Sequence, residues 1–466
     1  MPRGYLSLVV ELHHPLPAPG EGVDRTWGVA ACETYWPVLR AVTGLADSGL
    51  AEVLTLAVSS SWTALAAEPR AQELAAAELD KRVAEAARQV DAGVWLEHWQ
   101  GLRLFATERW GSDLLAPLRR AHEAGTIEVI TTTASHAWLP GVADVPVLAS
   151  AQVGLAAADH HLRFGGRAAG LWLPHLAYLP GLERTMARSG VRYFGVDAEA
   201  FRRGTVRPPC DVFGPLITRP GVAAFGVDPG PTLHLTDSAR RYCHDPRYGH
   251  PALGAAAVVD HVAHFLDSWR NLVQHAPRPR EAPAISVAAV SAHELGGSWR
   301  LGAEWLEQML RRLGDGDPWS ATTPGRYLDR YPEGPVGRPG PSAGGILSVR
   351  PAGSNLIDRC RIAAETLADA VERRGELFAT DRRAVAQMVR ALLAAQSLDW
   401  HLPPGLGLGP EQGLARAQQW LAQFGELAGL LAAGRIDHAR LATHEAGPAY
   451  LPDIDLDPLA EGTAGC

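Results

Sequence analysis

The chain has 466 residues, 47% of them hydrophobic and 20% charged, which is an ordinary globular balance with room for two domains. Its formal net charge of -8 argues against nucleic acid as a partner, because a phosphate-binding face needs clustered Lys and Arg. The five cysteines, Cys32, Cys210, Cys243, Cys360 and Cys466, contain no C-x-x-C pair, which argues against a structural zinc site or a disulfide framework, and the single lysine, Lys81, leaves little scope for lysine-based covalent chemistry.

The apolar run 5–10 lacks a small-residue cleavage site and is too short to span a membrane, so it predicts a buried first strand and a cytoplasmic protein with no membrane partner. Further strands are predicted at 53–58, 127–132, 171–173, 193–196, 222–225 and 285–290, with apolar or β-branched residues on both faces, as in parallel strands covered by helices. Helical patterns lie between them, for example at 71–90, 113–124 and 255–272. Repeated strand-then-helix units predict an α/β barrel or a doubly wound sheet. Residues 1–313 are read as this domain. Residues 314–354 are rich in Gly and Pro and are read as a loop or linker, 355–443 as a helical C-terminal domain, and 444–466 as an acidic tail that forms a surface strap or stays disordered.

Polar residues recur where the predicted strands end. Glu11 and His13 follow the first and share one side of it. His136, His175, Asp197, Asp228 and the pair His293-Glu294 follow later strands. Parallel strands would gather these groups at one rim, where such barrels carry their chemistry. Each could equally satisfy local backbone in a loop. Trp172, Trp299 and Trp400 could stack on sugar rings or pack in the core, and Trp305 reads as core. Asp159-His160-His161 and His261-x-x-His264 have ligand-like spacings but read as solvated helix positions. No segment forms a strand-to-helix glycine loop for phosphates.

Several segments, taken in order, resemble glycoside hydrolase family 57, and most of all its glucan branching enzymes. Gly4 to Pro15 is similar to G-Y-L-x-L-V-L-H-x-H-x-P, and Ile127 to His136 to I-E-I-x-T-x-x-x-T-H. Gly170-Leu171-Trp172-Leu173-Pro174-His175-Leu176-Ala177-Tyr178 resembles G-x-W-L-P-E-C-A-Y. Tyr193 to Asp197 follows at the expected place, and Arg241 to Pro246 resembles G-Y-P-G-D-P. Glu294 to Trp299 resembles the end of F-D-x-E-L-F-G-H-W-W, and Gln396 to Trp400 resembles Q-S-S-D-W. The resemblance implies an incomplete seven-stranded (β/α) barrel followed by an all-helical C-terminal domain. It implies a family acting on α-1,4-glucan with retention, through a carboxylate nucleophile and a carboxylic acid/base about 5–5.5 Å apart. It implies no cofactor and no metal, and α-glucan or maltooligosaccharide as the bound partner.

The departures fall on the chemistry. His175 stands where the family has its nucleophilic glutamate, and Ala292 stands at the acid/base aspartate; a one-residue slip gives Ser291 or His293. The first histidine of H-x-H is Glu11, the histidine of H-W-W is Ser298, and its last tryptophan is Arg300. Substrate-contact positions survive at His13, His136, Trp172, Tyr242, Glu294, Trp299, Asp399 and Trp400. These residues predict an inactive or strongly impaired branching-enzyme relative that binds α-glucan or acts beside glycogen enzymes. Two alternatives stand beside it: an active glucan enzyme with a displaced carboxyl from Glu11, Asp197 or Glu294, and a metal-dependent enzyme using His13, His136, His175 and His293 with Glu11.

Overall fold

The computed structural model describes residues 3–457 and 459, apart from 89–91, 238–240, 278–281, 298, 315–318, 345–353 and 403–409. Among the described residues nine strands form one sheet: β1 (Gly4–Leu12), β2 (Leu54–Val58), β3 (Ile127–Thr131), β4 (Gly170–Leu171), β5 (Tyr193–Asp197), β6 (Leu216–Ile217), β7 (Ala223–Val227), β8 (Ala284–Ser291) and β9 (Trp319–Ala321). Seven of these pair in parallel in the order β1-β2-β3-β4-β5-β7-β8, and β8 pairs with β1 again. The ring is closed, which corrects the expectation of an incomplete barrel. Closure rests on the nine-residue β1, which pairs with β8 from Gly4 to Glu11 and with β2 from Val9 to Leu12. The thinnest seam lies between β7 and β8, where Val227 pairs with Val287 and the Asp228 N–H donates to the Val287 carbonyl at 2.7 Å. A strand count gives no information on whether the first and last strands meet. That depends on tilt and register.

Alternation along the strands separates two cores. Tyr5 and Val9 of β1, Ile130, Tyr193, Phe225, Ile285 and Val287 fill the barrel interior with Trp172. Leu6, Leu8 and Val10 face outward into a second core under the surrounding helices. Trp172 fits inside because residue 195 of β5 is glycine: a Cβ there would lie 2.5 Å from Trp172 Cζ3. Gly195→Ala is therefore expected to cost about 1–3 kcal/mol through overpacking, measured by urea denaturation, and to move the Trp172 ring.

The Gly/Pro-rich stretch differs from its reading as a loop or linker. It contains β9, which pairs with Gly4 to Leu6, and the helix Pro324–Arg330, capped by Thr323. Tyr327 of that helix plugs the barrel floor and donates to the Pro283 carbonyl at 2.8 Å. The segment reads as loop because a three-residue strand and a seven-residue helix are too short to show a period.

Beyond it the chain is α-helical, in Ser354–Glu372, Ala379–Ala395, Pro410–Ala432 and His438–Glu445. The described tail is not a free acidic segment: Tyr450, Leu451, Leu456 and Leu459 are buried, and Arg390 donates to the carbonyls of Tyr450, Leu451 and Pro452. Asp159 and His160 also differ from their reading as solvated positions. Both are buried; Asp159 pairs with Arg163, and His160 bonds the carbonyls of Val129 and Gly166 at 3.0 Å. No helix among the described residues is long and apolar enough to cross a membrane.

Candidate functional site

The carboxyl ends of the parallel strands open into a cavity of about 530 Å³ lined by Glu11, His13, His136, Trp172, His175, Leu176, Ser291, His293, Glu294 and Asp399, among others. The inward alternation of Tyr5 and Val9 continues along β1, which brings Glu11 and His13 to the cavity. By the same alternation on β8, Ile285 and Val287 face inward, and so do Ala289 and Ser291 above them. Ala292 begins the next turn and is fully buried outside the lining, so Ser291 is the residue of this pair that meets the cavity.

His136 sits in the left-handed region at φ 57°, in a turn closed by its own N–H on the Thr133 carbonyl. Its carbonyl accepts from the Leu398 N–H at 3.1 Å, and Ala137 bridges Ser397. This junction delivers Asp399 from the helical region into the barrel mouth. Behind it the Gln152 side-chain amide donates to Ser135 Oγ and Gln396 Oε1, fixing the same two segments.

Asp399 forms the centre of a tight cluster. His13 Nε2 lies 3.0 and 2.9 Å from its two carboxylate oxygens, and His136 Nδ1 lies 3.6 Å from one of them. The two imidazoles stack with centroids 3.7 Å apart. His13 Nδ1 meets Ser59 Oγ at 2.9 Å and Ser61 Oγ at 3.3 Å, while His136 Nε2 meets Glu11 Oε1 at 3.2 Å. Ser397 Oγ donates to Asp399 at 2.6 Å. Burial alone would raise the Asp399 carboxyl, but the two imidazoles outweigh it and hold it well below the usual carboxylate range. Burial works the same way on Glu11, and His136 again leaves it lowered. His136 is pushed up to about 10, because Glu11 and Asp399 outweigh its own desolvation. Desolvation wins at His13, which is lowered.

His175 and Leu176 both have positive φ, 51° and 62°, a costly geometry for two successive side chains. Their turn is held by the Leu176 N–H on the Leu173 carbonyl and by paired backbone bonds between Tyr178 and Ser342. The His175 ring lies 6.1 Å from that of His136, and burial pushes it down to about 4, so it is neutral at pH 7.

The structure brings together Glu11, His13, His136, Trp172, His175, Ser291, His293, Glu294 and Asp399. Tyr242 and Trp299 instead pack with Trp305, and Tyr242 stacks on His261 and bonds His264. Trp400 is buried and donates to the Ala394 carbonyl. Asp197 caps the helix Ala198–Arg202 and accepts from Ser342, outside the cavity lining. Glu294 is paired with Arg241. His293 Nε2 meets the Tyr35 hydroxyl at 3.2 Å and the His13 backbone carbonyl at 3.4 Å rather than the Asp399 carboxylate. Ser298 lies outside the described residues. Sequence reasoning missed Ser59, Ser61 and Tyr35, whose hydroxyls support His13 and its neighbours. The polar run Ser59-Ser60-Ser61, directly after β2, was the available signal.

Residues 9–224 match the family model for glycosyl hydrolase family 57, and residues 359–458 match that for the 1,4-alpha-glucan branching enzyme C-terminal region. Over 94% of both chains the sequence is 26% identical to a probable 1,4-alpha-glucan branching enzyme of Mycobacterium tuberculosis. The fold matches that of the alpha-amylase AmyC from Thermotoga maritima with a TM-score of 0.88 at 21% identity, covering 98% of this chain and 99% of that one. It also matches that of the GH57-type branching enzyme from Pyrococcus horikoshii with a TM-score of 0.86 at 19% identity, covering 98% and 97%. The chain is thus similar in sequence to glycosyl hydrolase family 57 over its first half and to 1,4-alpha-glucan branching enzymes along its length, and it shares the barrel-and-helices fold of the two solved structures.

Proposed function

We propose that this family 57 homologue binds α-glucan at the barrel mouth and has lost, or nearly lost, the ability to cleave it. One observation carries the reading: the cavity holds carboxylates, but each already faces a cation or imidazole. Glu11 is on His136, Asp399 is on His13 and His136, and Glu294 is on Arg241. Retaining glycoside cleavage needs one carboxylate free to attack and one carboxylic acid with a proton to give. At the nucleophile position His175 is neutral, and its attack would leave a cationic adduct beside the already protonated His136. Glu11 and Asp399 are held ionised, so neither is an acid at pH 7. The protonated His136 faces these two carboxylates.

Binding has different requirements. A cavity of about 530 Å³ with convergent polar groups, reached at its wall by the largely buried Trp172, does not need the catalytic pair in order to bind. Calorimetric titration with maltooligosaccharides tests this. Binding is expected, and Trp172→Ala, in protein shown to be folded, is expected to weaken it by about 10-fold through loss of part of the cavity wall. No heat from a folded wild-type protein, or no effect of the Trp172 change, would contradict the assignment.

A further inference from the structure

We infer that His13, His136 and Asp399 form a seat for a divalent cation of the zinc class, at the floor of the cavity and open toward it. His13, His136 and Asp399 each offer a ligand atom, and these atoms lie within 4.8 Å of one another. His13 Nε2 and His136 Nδ1 both face the Asp399 carboxylate, and a shared ion requires the two stacked rings to turn out of parallel so that their lone pairs converge. The far nitrogen of each ring is already occupied, on Ser59 Oγ for His13 and on Glu11 for His136. Outer partners of this kind fix the orientation of ligating imidazoles and leave the inner nitrogen's lone pair for the metal. The Ser59 hydroxyl can accept or donate, so it serves either His13 tautomer.

An independent observation points into the same spot. His136 Nδ1 is buried and makes no hydrogen bond, the Asp399 carboxylate standing off at 3.6 Å, and its side chain is 5% exposed. Such a group is rare in a folded core unless something occupies the space in front of it. Charge agrees: Asp399 and Glu11 carry two negative charges, which one divalent ion with two neutral imidazoles would balance. Two nitrogens and one carboxylate suit zinc-class ions better than magnesium or calcium, which prefer all-oxygen shells. Three protein ligands also leave a position free for water on the cavity side. This inference does not rest on glucan binding, since the ligands form the floor and Trp172 the wall.

The test uses untagged full-length protein, stripped with a chelator and titrated with zinc chloride by calorimetry, with elemental analysis of the product. One zinc ion per chain is expected, and cobalt(II) in its place should give the visible absorption of a nitrogen- and oxygen-bound ion. His13→Gln should abolish uptake. Glu11→Gln removes no ligand and should weaken affinity on the order of 10–100-fold. Circular dichroism confirms folding, and should His13→Gln fail to fold, the Glu11→Gln titration decides. A folded wild-type chain that takes up no zinc would overturn the proposal and leave a proton on His136 as the only occupant. So would uptake that neither variant changes.

Discussion

Changing three residues together, Glu11→His, His175→Glu and Ser291→Asp, is expected to give the protein measurable cleavage of amylose where His175→Glu alone gives none. Relative to the family motifs, an acid and an imidazole have exchanged places: Glu11 stands at a histidine position and His175 at a glutamate position. The two face one cavity and interact electrostatically. A glutamate at 175 would therefore enter a site that already holds Glu11 and Asp399, and its ionisation would be opposed by like charge. Removing the Glu11 charge in the same variant lifts that opposition. The acid/base must come from a position that meets the cavity, which favours Ser291 over the fully buried Ala292. A carboxyl at 292 would be buried without a partner and is expected to cost stability rather than add rate. Catalytic groups act as a set, and losing one costs on the order of 10⁴ or more in rate, so the triple variant should exceed every single one by about 10³-fold or more. A folded triple variant that binds maltooligosaccharide and still cleaves nothing would show that the groups are not in reach of the scissile bond.

The largest stability effect is expected at Asp399. Its side chain is 4% exposed and accepts from His13 and Ser397 beside His136. Asp399→Ala leaves His136 buried with Glu11 as its remaining counter-charge and removes the carboxylate from His13 Nε2. Breaking a buried pair this way costs about 3–5 kcal/mol, read as a lowered urea midpoint. A loss below about 1 kcal/mol would place Asp399 among ordinary exposed pairs and contradict the geometry. Because Asp399 also joins the helical region to the barrel, its loss should loosen the contact between Leu398 and His136, visible as faster amide exchange there.

The barrel was legible because its strands are apolar on both faces: all seven predicted runs coincide with the seven ring strands. Closure was not legible, since it depends on β1 pairing along both edges, a long-range property absent from any local pattern. The rim was partly legible. Glu11 and His13 could be placed by their two-residue spacing, and His136, His175 and Glu294 by lying just past strand ends. Asp197 follows the same rule and fails, because its carboxylate is used as a helix cap. Asp399 stood out only through motif resemblance. Its role as the hub between His13 and His136 comes from the packing of a segment some 386 positions from His13. Tyr242, Trp299 and Trp400 show the opposite outcome, aromatics in motif-like positions that the fold uses for packing and backbone bonding.

The central claim is that the barrel mouth retains the means to hold α-glucan but not to break it. Incubating the purified wild-type protein with amylose, and recording α-1,6 linkages and new reducing ends by proton NMR, tests this most directly. The spectrum is expected to stay that of unbranched amylose with no new ends. New α-1,6 linkages or reducing ends that disappear in Glu11→Gln would contradict it, and would make Glu11 a working catalytic carboxylate.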